Sequence, residues 1–305
     1  MTGKKHKSSD IVFHTFLIQK TNCLKRKIMT AKTLPDQITD LLIALIFTEK
    51  LKAGDKLPPE RQLAEYLGVD RTSLRMALRT LTRMNVIHAL QGSGIRVLDY
   101  KADGGMDFLG NLYHVEGLEL GGEFLLSGLD LFNRAIPSAI KMSVERSAED
   151  YQGKILTIVH KMYQALQAQA PNRELAALDV ELVDTLLAST GNVFMQVAGG
   201  SSRSIRQALT EKSYELIDVK AHLDWLVSMM MKIASGMLAL DDMVEQYNEY
   251  IDKTTQPLKD YLAALPKEPR LISSPLLNGR DIIDLDGIMK KPVAPVATDN
   301  VVKLA

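Results

Sequence analysis

The sequence predicts a mainly α-helical protein, in which a small N-terminal domain with a β-hairpin precedes a C-terminal antiparallel all-α helical bundle. Within residues 34–97, short amphipathic segments separated by turn residues lead into two alternating segments, which is typical of helices followed by a hairpin. From residue 113 to residue 266, apolar residues recur at helical spacing in segments with short connections, which indicates a bundle. The length of 305 residues is sufficient for about two domains.

Charge divides the chain in the same way, although the net formal charge is zero. Residues 56–97 hold seven Lys and Arg against three Asp and Glu, whereas residues 101–266 hold fourteen against twenty-three. A basic segment is typical of proteins that contact phosphates, and an acidic domain is repelled by them. The sequence therefore predicts a nucleic-acid reader joined to a domain that does not touch nucleic acid.

The remaining features exclude some classes of protein and set expectations for the two ends of the chain. A single cysteine, Cys23, excludes an internal disulfide and favours a cytoplasmic location, and no apolar run approaches the ~18 residues of a membrane span. We expect residues 1–28 to be a disordered basic arm, which either touches DNA phosphates or results from an upstream start codon. We expect residues 267–305, with prolines and broken apolar patches, to be a disordered tail that makes at most a transient contact.

Three helices are predicted in the N-terminal domain, and their ends carry capping residues. The predicted ranges are 35–50, 60–67 and 71–84. Thr33 precedes the first helix and Asp70 precedes the third, and each side chain can accept a hydrogen bond from a free amide of the first turn. Gly68 follows the second helix and can adopt the left-handed conformation that commonly ends one.

A β-hairpin is predicted directly after the third helix. Residues 85–90 and 95–97 alternate in the manner of strands, and the sequence Gln-Gly-Ser-Gly between them indicates a flexible turn. This turn lacks the strand-to-helix context and the third glycine of a dinucleotide-binding loop. Two short helices, a basic helix and a two-stranded wing make residues 29–98 a predicted winged helix-turn-helix domain.

The third helix carries arginines at every fourth position, which are Arg71, Arg75, Arg79 and Arg83. Residues four apart lie near one another on a helix, but such a row drifts slowly around it. The first two arginines are therefore placed at the N-terminal end, which a recognition helix presents to base edges. The last two are expected to reach phosphates or to balance acidic neighbours. A merely solvated basic face is the alternative.

The sequence LPPERQLAEYLGVDRTSLRMALRTL, followed by QGSGIRV, closely resembles the winged-helix segment of the GntR family of bacterial regulators. The resemblance covers residues 34–98 and implies that two copies read a pseudo-palindromic operator. It also implies that Arg71 and Arg75 make bidentate contacts to guanine. The residues that match the family's DNA-contacting positions are Arg61, Arg71, Thr72, Ser73, Arg75 and the wing glycine Gly92.

The second part of the chain resembles the FadR subfamily of the same family. Residues 105–112 resemble its linker, and residues 179–183 and 187–192 resemble its middle helix and the turn that follows. The resemblance implies a linker at 99–112 and an effector-binding and dimerisation domain at 113–266. Helical segments are predicted at 117–131, 133–146, 149–169, 173–188, 193–217, 219–237 and 241–264.

Metal binding is not predicted for the helical domain. Many members of the subfamily hold a divalent ion and an organic acid with an Asp, a His four residues later and two further His. This chain keeps Asp179, has Val183 at the fourth position and has one matching later histidine, His222. His222 is also interpretable as a packed bundle residue.

Loss of the metal ligands agrees with the branch of the subfamily that binds fatty acyl-CoA. Methionines 229–231 and Phe194 could line an apolar site, although such side chains also form ordinary cores. Asn133 stands where that branch has an arginine, and the segment around Tyr247 lacks its Gly-His-Glu-Ser sequence. The candidate effector-binding residues are Asn133, Asp179, His222, Trp225 and Tyr247.

The sequence as a whole predicts a homodimeric DNA-binding transcription regulator, expected to act as a repressor or a dual regulator. Its operator binding is expected to respond to an acyl-CoA or another apolar metabolite. We find no paired carboxylates, Cys–His pair or phosphate loop that would indicate an enzyme. The alternatives are a ligand-independent regulator with a degenerate effector domain and a metal- or carboxylate-responsive one. No cofactor is predicted.

Overall fold

Three helices and a hairpin form the N-terminal part of the computed structural model, which describes residues 32–90, 92–146 and 149–277. They are α1 (Leu34–Phe47), α2 (Glu60–Leu67), α3 (Arg71–Arg83), β1 (Ile87–Leu90) and β2 (Gly94–Val97). The two strands pair antiparallel, with Ile87 opposite Val97. The winged helix-turn-helix arrangement is thereby confirmed. The arm predicted at 1–28 lies outside the described residues.

The helix ends follow from the capping residues. Thr33 Oγ1 accepts a hydrogen bond from the backbone amide of Asp36, whose carboxylate accepts one from the amide of Thr33, and this reciprocal pair begins α1. Gly68 ends α2 with a φ of 67°. The first helix ends at Phe47, three residues before the predicted end, because Glu49 takes a φ of 53° that does not continue a helix.

Helix α1 is buried on more than one face. Every residue from Leu41 to Phe47 is buried, because α3 packs on one side of α1 and later elements cover the other. The Phe47 ring lies at centroid distances of 5.6 Å from Tyr100, 6.5 Å from Phe108 and 5.1 Å from Phe124. We call these four rings the aromatic joint. It connects the winged domain to the segments that follow it in the chain.

The rest of the described chain is helical, with one further pair of short strands. The elements are α4 (Met106–Leu112), β3 (Leu118–Glu119), α5 (Gly122–Glu145), α6 (Glu149–Gln167), α7 (Asn172–Ser189), α8 (Val193–Tyr214), α9 (Val219–Ala234), α10 (Leu240–Thr254), α11 (Gln256–Ala263) and β4 (Arg270–Leu271). Helices α6, α7 and α8 pack in sequence, and α5 packs against α7, α10 and α11. The predicted helical bundle is confirmed as the fold class.

Three differences from the sequence-based expectation change how the helices are divided or placed. The segment predicted as a linker at 99–112 contains helix α4, whose Phe108 and Leu112 are buried. The helices predicted at 117–131 and 133–146 are one helix, which continues through Pro137 because the buried proline packs in the bundle despite the lost amide. The helix predicted at 241–264 is divided, since Thr255 ends α10 and α11 begins at Gln256.

The predicted disordered tail is wrong for its described portion, residues 267–277. Strand β4 pairs antiparallel with β3, and the amide of Ile272 donates to the carbonyl of Gly117 over 2.8 Å. We call residues 266–277 the strap. Its apolar side chains, Leu271, Leu276 and Leu277, pack against the same core as α1. Residues 278–305 lie outside the described part of the chain.

The strap lies directly on the backbone at Gly117. This glycine has a φ of 74°, and a Cβ there would overlap the carbonyl oxygen and the side chain of Ser273. The Arg270 guanidinium also donates to the Glu119 carboxylate across the strand pair, over 2.6 Å. The strap therefore joins the end of the helical bundle to the winged domain.

Candidate nucleic-acid interface and helical-domain cluster

The start of α3 presents polar side chains to solvent while its opposite face is buried. Leu74, Ala77 and Leu81 have exposed fractions of 0% and hold the helix against the domain core. Arg71 and Thr72 are exposed at the first turn. This orientation follows from the apolar positions, since residues three and four apart share one helix face. The first turn of α3 is therefore available to a macromolecular partner.

The cap of α3 involves one of the predicted DNA-contacting residues. Asp70 accepts hydrogen bonds from the Ser73 amide over 2.8 Å and from the Ser73 hydroxyl over 2.7 Å. These bonds favour the carboxylate and lower the pKa of Asp70. Ser73 has thus committed its hydroxyl proton to the cap, and its role in this structure is to hold the helix start.

Two of the predicted arginines form ion pairs of different kinds. Arg75 Nε lies 2.6 Å from Oε2 of Glu60, so the pair connects α3 with the first residue of α2. Arg61 Nε lies 3.5 Å from Oε1 of Glu65 on the same helix, with exposed side-chain fractions of 74% and 67%. Arg61 is therefore a solvated residue on α2, whereas Arg75 is held between two helices.

The wing carries the last predicted contact, Gly92. It is exposed, and a Cβ placed on it would meet nothing within 4 Å. Lys56 forms an isolated β-bridge with Arg96 of β2, which brings a further basic residue to the base of the wing. Sequence reasoning did not select Lys56 or Glu60, because only tertiary structure brings one to the wing and the other to Arg75.

The helical domain contains a cluster that includes four of the five candidate effector residues. The Tyr214 hydroxyl donates to Asp179 over 2.9 Å, and Nδ1 of His222 lies 3.0 Å from the hydroxyl of Tyr250. The Trp225 ring stacks on the ring of Tyr250 at a centroid distance of 3.7 Å. The Tyr247 ring, in turn, lies 6.0 Å from that of Trp225. We call these six residues the helical-domain cluster.

The other predicted lining residues are placed differently. Asn133 donates from its side-chain amide to the hydroxyl of Thr255 over 3.3 Å, at the junction of α10 and α11. Met229 is buried and packs with Tyr247, but Met231 and Phe194 have exposed fractions of 65% and 72%. The prediction that methionines 229–231 and Phe194 line an apolar site is therefore wrong for Met231 and Phe194, which face solvent.

Burial shifts the ionisable groups of the cluster away from their charged forms. It raises the pKa of Asp179, against the opposing effect of His222, and it lowers the pKa of His222, against the opposing effect of Asp179. Burial also raises the pKa of Tyr214. Within the described residues, no three His, Cys, Asp or Glu side chains come together as metal ligands.

Arg206 is a buried residue near this cluster that sequence reasoning missed. Its exposed fraction is 6%, and its Nη2 donates to Asp184 and to the carbonyl of Gly199. Its Nε and Nη1 have no hydrogen-bond partner in the described part of the chain. Two unsatisfied donors in a buried guanidinium are costly. In the sequence, Arg206 is one of several charged residues on α8 and has no distinguishing signal.

Acidification is expected to destabilise the wild-type protein more than a His222→Gln variant. Because burial holds the pKa of His222 below its usual value of 6.5, the unfolded chain binds this proton more readily than the folded one. The contribution of His222 to stability is therefore present above about pH 6.5 and is lost as the pH falls through the lowered pKa. Thermal midpoints measured between about pH 7 and about pH 5.5 test this.

The raised pKa of Asp179 acts in the opposite direction, since its contribution falls as the pH rises through that pKa. The comparison between variants therefore reports the contribution of His222 together with its effect on the pKa of Asp179. His160, which is exposed on α6, provides the matched control as His160→Gln. Equal pH dependence in wild type and His222→Gln would show that the folded protein does not hold His222 neutral.

Comparison with known proteins gives a match to one family model and similarity to several regulators. Residues 34–97 match the family model described as bacterial regulatory proteins, gntR family. The chain is 31% identical over 174 residues to an uncharacterised HTH-type transcriptional regulator of Mycobacterium tuberculosis, covering 55% of this chain and 69% of that protein. It is 30% identical over 119 residues to the HTH-type transcriptional regulator Mce2R of the same species, covering 39% of this chain and 49% of Mce2R.

The chain thus spans about half the length of Mce2R. Among solved structures, it is similar to Streptococcus agalactiae GntR, with 25% identity, a TM-score of 0.32, and coverage of 71% of this chain and 98% of that chain. In the described residues, no helix is long and apolar enough to cross a membrane.

Proposed function

Because the chain belongs to the GntR family of bacterial DNA-binding transcription regulators, we propose that it binds a short operator through the exposed start of α3, the start of α2 and the wing. The observation that carries the proposal is the solvent-facing first turn of α3, above a face fixed by fully buried leucines. A helix oriented in this way can enter a major groove without disturbing the domain core. The proposed function is therefore regulation of transcription through DNA binding.

Each predicted contact has a chemical role in this proposal. Arg71 and Arg75 can each donate two hydrogen bonds to guanine, a pattern that distinguishes guanine from the other bases. Thr72 and Arg61 can reach phosphate oxygens, which position the protein without reading sequence. Gly92 permits close approach of the wing backbone because no side chain intervenes. The Ser73 hydroxyl would have to leave Asp70 to donate to DNA, so its main contribution is to hold the helix start.

The same proposal includes a homodimer and a cytoplasmic location. One winged domain reads one half-site, and two copies related by a two-fold axis read a pseudo-palindrome. Half-sites lie one helical turn of DNA or a multiple apart, so the dimer geometry sets the spacing. A change in that geometry alters affinity for the operator without altering any base contact. Because the proposed partner is bacterial operator DNA, the proposed location is the cytoplasm.

We place an effector at the helical-domain cluster. Stacked aromatic rings and the adjacent buried methionines can receive an apolar group, while Asp179 and His222 are buried ionisable groups that can orient a polar one. A fatty acyl-CoA or another apolar metabolite fits this mixture. An effector acts only if it binds one dimer geometry better than the other.

A ligand-independent regulator with a degenerate helical domain is the second candidate. The observation in its favour is that Asp179 and His222 already make hydrogen bonds, to Tyr214 and Tyr250 respectively. Satisfied polar groups do not require a ligand. A metal- or carboxylate-responsive site has less support, because no three possible metal-ligating side chains come together within the described residues.

Selection of bound duplexes from a random DNA library tests the DNA-binding function with the full chain. The expected result is enrichment of a short pseudo-palindrome whose two halves contain guanine. Failure to enrich any sequence, in a preparation with a cooperative thermal transition, would contradict the proposal. Thermal shift with acyl-CoAs, carboxylates and divalent ions then separates the sensor from the ligand-independent candidate, because a native-state ligand raises the melting temperature.

A further inference from the structure

We propose that Glu60 is a positioning residue for DNA reading, which orients the guanidinium of Arg75 so that its two terminal nitrogens face a base edge. This inference rests on the proposed function, since it requires an operator that Arg75 reads. It adds to the reading surface a carboxylate that never touches DNA. Such a role is distinct from that of the basic residues, which contact DNA directly.

The ion pair between Glu60 and Arg75 connects the two helices of the proposed DNA-binding surface. Glu60 is the first residue of α2 and Arg75 lies in the second turn of α3, so the pair fixes one helix relative to the other. The distance from Nε of Arg75 to Oε2 of Glu60 is 2.6 Å. Glu60 has an exposed side-chain fraction of 33%, against 56% for Arg75. The carboxylate is thus the more enclosed member and can hold the arginine in place.

The bond to Glu60 leaves the two terminal nitrogens of the Arg75 guanidinium available to another partner. Arginine has five N–H donors in a rigid plane, and the bond to Glu60 uses the one on Nε. Within the described residues, no side chain or carbonyl takes a hydrogen bond from Nη1 or Nη2 of Arg75. These two nitrogens form a fork that matches the N7 and O6 acceptors of guanine. Glu60 therefore orders the arginine before DNA arrives and leaves its recognition edge free, which lowers the ordering cost of binding.

Comparison with the neighbouring pair shows what is particular to Glu60. Glu65 lies 3.5 Å from Arg61 on one helix, and both side chains are more than half exposed. Exposed pairs at this spacing contribute little and leave the arginine mobile. Glu65 is therefore the matched control, since it has the same charge and lies five residues further along the same helix.

Glu60 could instead compete with DNA for Arg75, and the two roles predict different effects of removing its carboxylate. If the carboxylate merely competed with DNA for Arg75, its removal would strengthen binding to the operator. Removing a negative charge near phosphates also strengthens binding to any duplex, regardless of sequence. Only a positioning role predicts that the preference for the operator over other DNA falls. The ratio of the two affinities is consequently the decisive quantity.

The test measures dissociation constants at one salt concentration for the selected operator, for the operator with its guanines replaced, and for random duplex. In Glu60→Ala, discrimination between operator and guanine-replaced DNA is expected to fall about tenfold, which is part of what a bidentate pair contributes. Random-duplex affinity stays unchanged or rises. Glu60→Gln keeps an acceptor for Nε and is expected to lose less, and Glu65→Ala is expected to retain full discrimination.

A double-mutant cycle with Arg75→Ala separates positioning from general damage. In the Arg75→Ala background, Glu60→Ala is expected to change discrimination no further, because the two residues act as one unit. Thermal midpoints show whether each variant is folded. If Glu60→Ala does not fold, Glu60→Gln provides the measurement of discrimination. Unchanged or increased discrimination in the Glu60 variants overturns the positioning role alone. A wild-type protein without any sequence preference overturns the proposed function and this inference together.

Discussion

Arg71→Ala is expected to weaken operator binding about 5- to 150-fold, which is the range of a lost bidentate contact to guanine. The protein should keep its thermal midpoint, because the Arg71 side chain is exposed and α3 is held by its buried leucines and by the Asp70 cap. Affinity for random duplex should fall much less than affinity for the operator. Fluorescence anisotropy with both duplexes measures the two effects.

Arg79→Ala is the control for this prediction, since it removes the same side chain two turns further along the same helix. We expect a smaller loss that is equal for operator and random duplex, because a phosphate contact carries no sequence information. The dependence of affinity on salt should also decrease by about one counterion. Equal losses on both duplexes for Arg71→Ala would show that Arg71 contacts only the backbone.

Gly117→Ala is expected to lower the free energy of unfolding by about 3 kcal/mol or more, because two costs coincide at this position. A φ of 74° is unfavourable for alanine, and the added Cβ would overlap the carbonyl oxygen and side chain of Ser273 in the strap. The strap must then move off β3, which removes the strand pair and exposes Leu271. Urea unfolding of the full chain measures the change.

Gly54→Ala is the matched control, because Gly54 has a φ of 89° but nothing lies within 4 Å of its Cβ position. This variant carries the backbone cost alone, which is about 1–2 kcal/mol. The difference in unfolding free energy between the two variants therefore measures the cost of the overlap between the added Cβ and the strap. If both glycines cost the same, the strap does not press on the backbone at Gly117 in solution.

The winged domain was predictable because its determinants are local. Thr33, Gly68 and Asp70 each act within one helical turn of their own position, and the apolar spacing of α3 reveals its buried face directly. The strap was not predictable for the opposite reason. Its strands have two residues each and pair across more than 150 positions, so neither shows an alternating pattern long enough to detect.

In the proposed DNA-binding surface and in the helical domain, residues defined by local sequence were likewise predictable, and residues defined by tertiary packing were not. The residues proposed to contact DNA follow from a continuous motif, whereas Glu60 and Arg206 obtain their partners only from tertiary packing. Phe194 and Met231 illustrate the converse error, since apolar residues at helical spacing on α8 and α9 prove to be solvent-facing. Periodicity identifies a helix face but does not decide which neighbour covers it.

The aromatic joint sets a lower limit on how strongly a ligand must prefer a rotated winged domain over the resting one. Phe47 has an exposed fraction of 2% and contacts rings that belong to the segment after the wing, to α4 and to α5. Rotating the winged domain away from these elements exposes its ring, at a cost of about 1.5–3 kcal/mol. A ligand that drives such a rotation must therefore prefer the rotated form by roughly 10- to 150-fold. A weaker preference would leave the winged domain in its resting orientation even at saturating ligand.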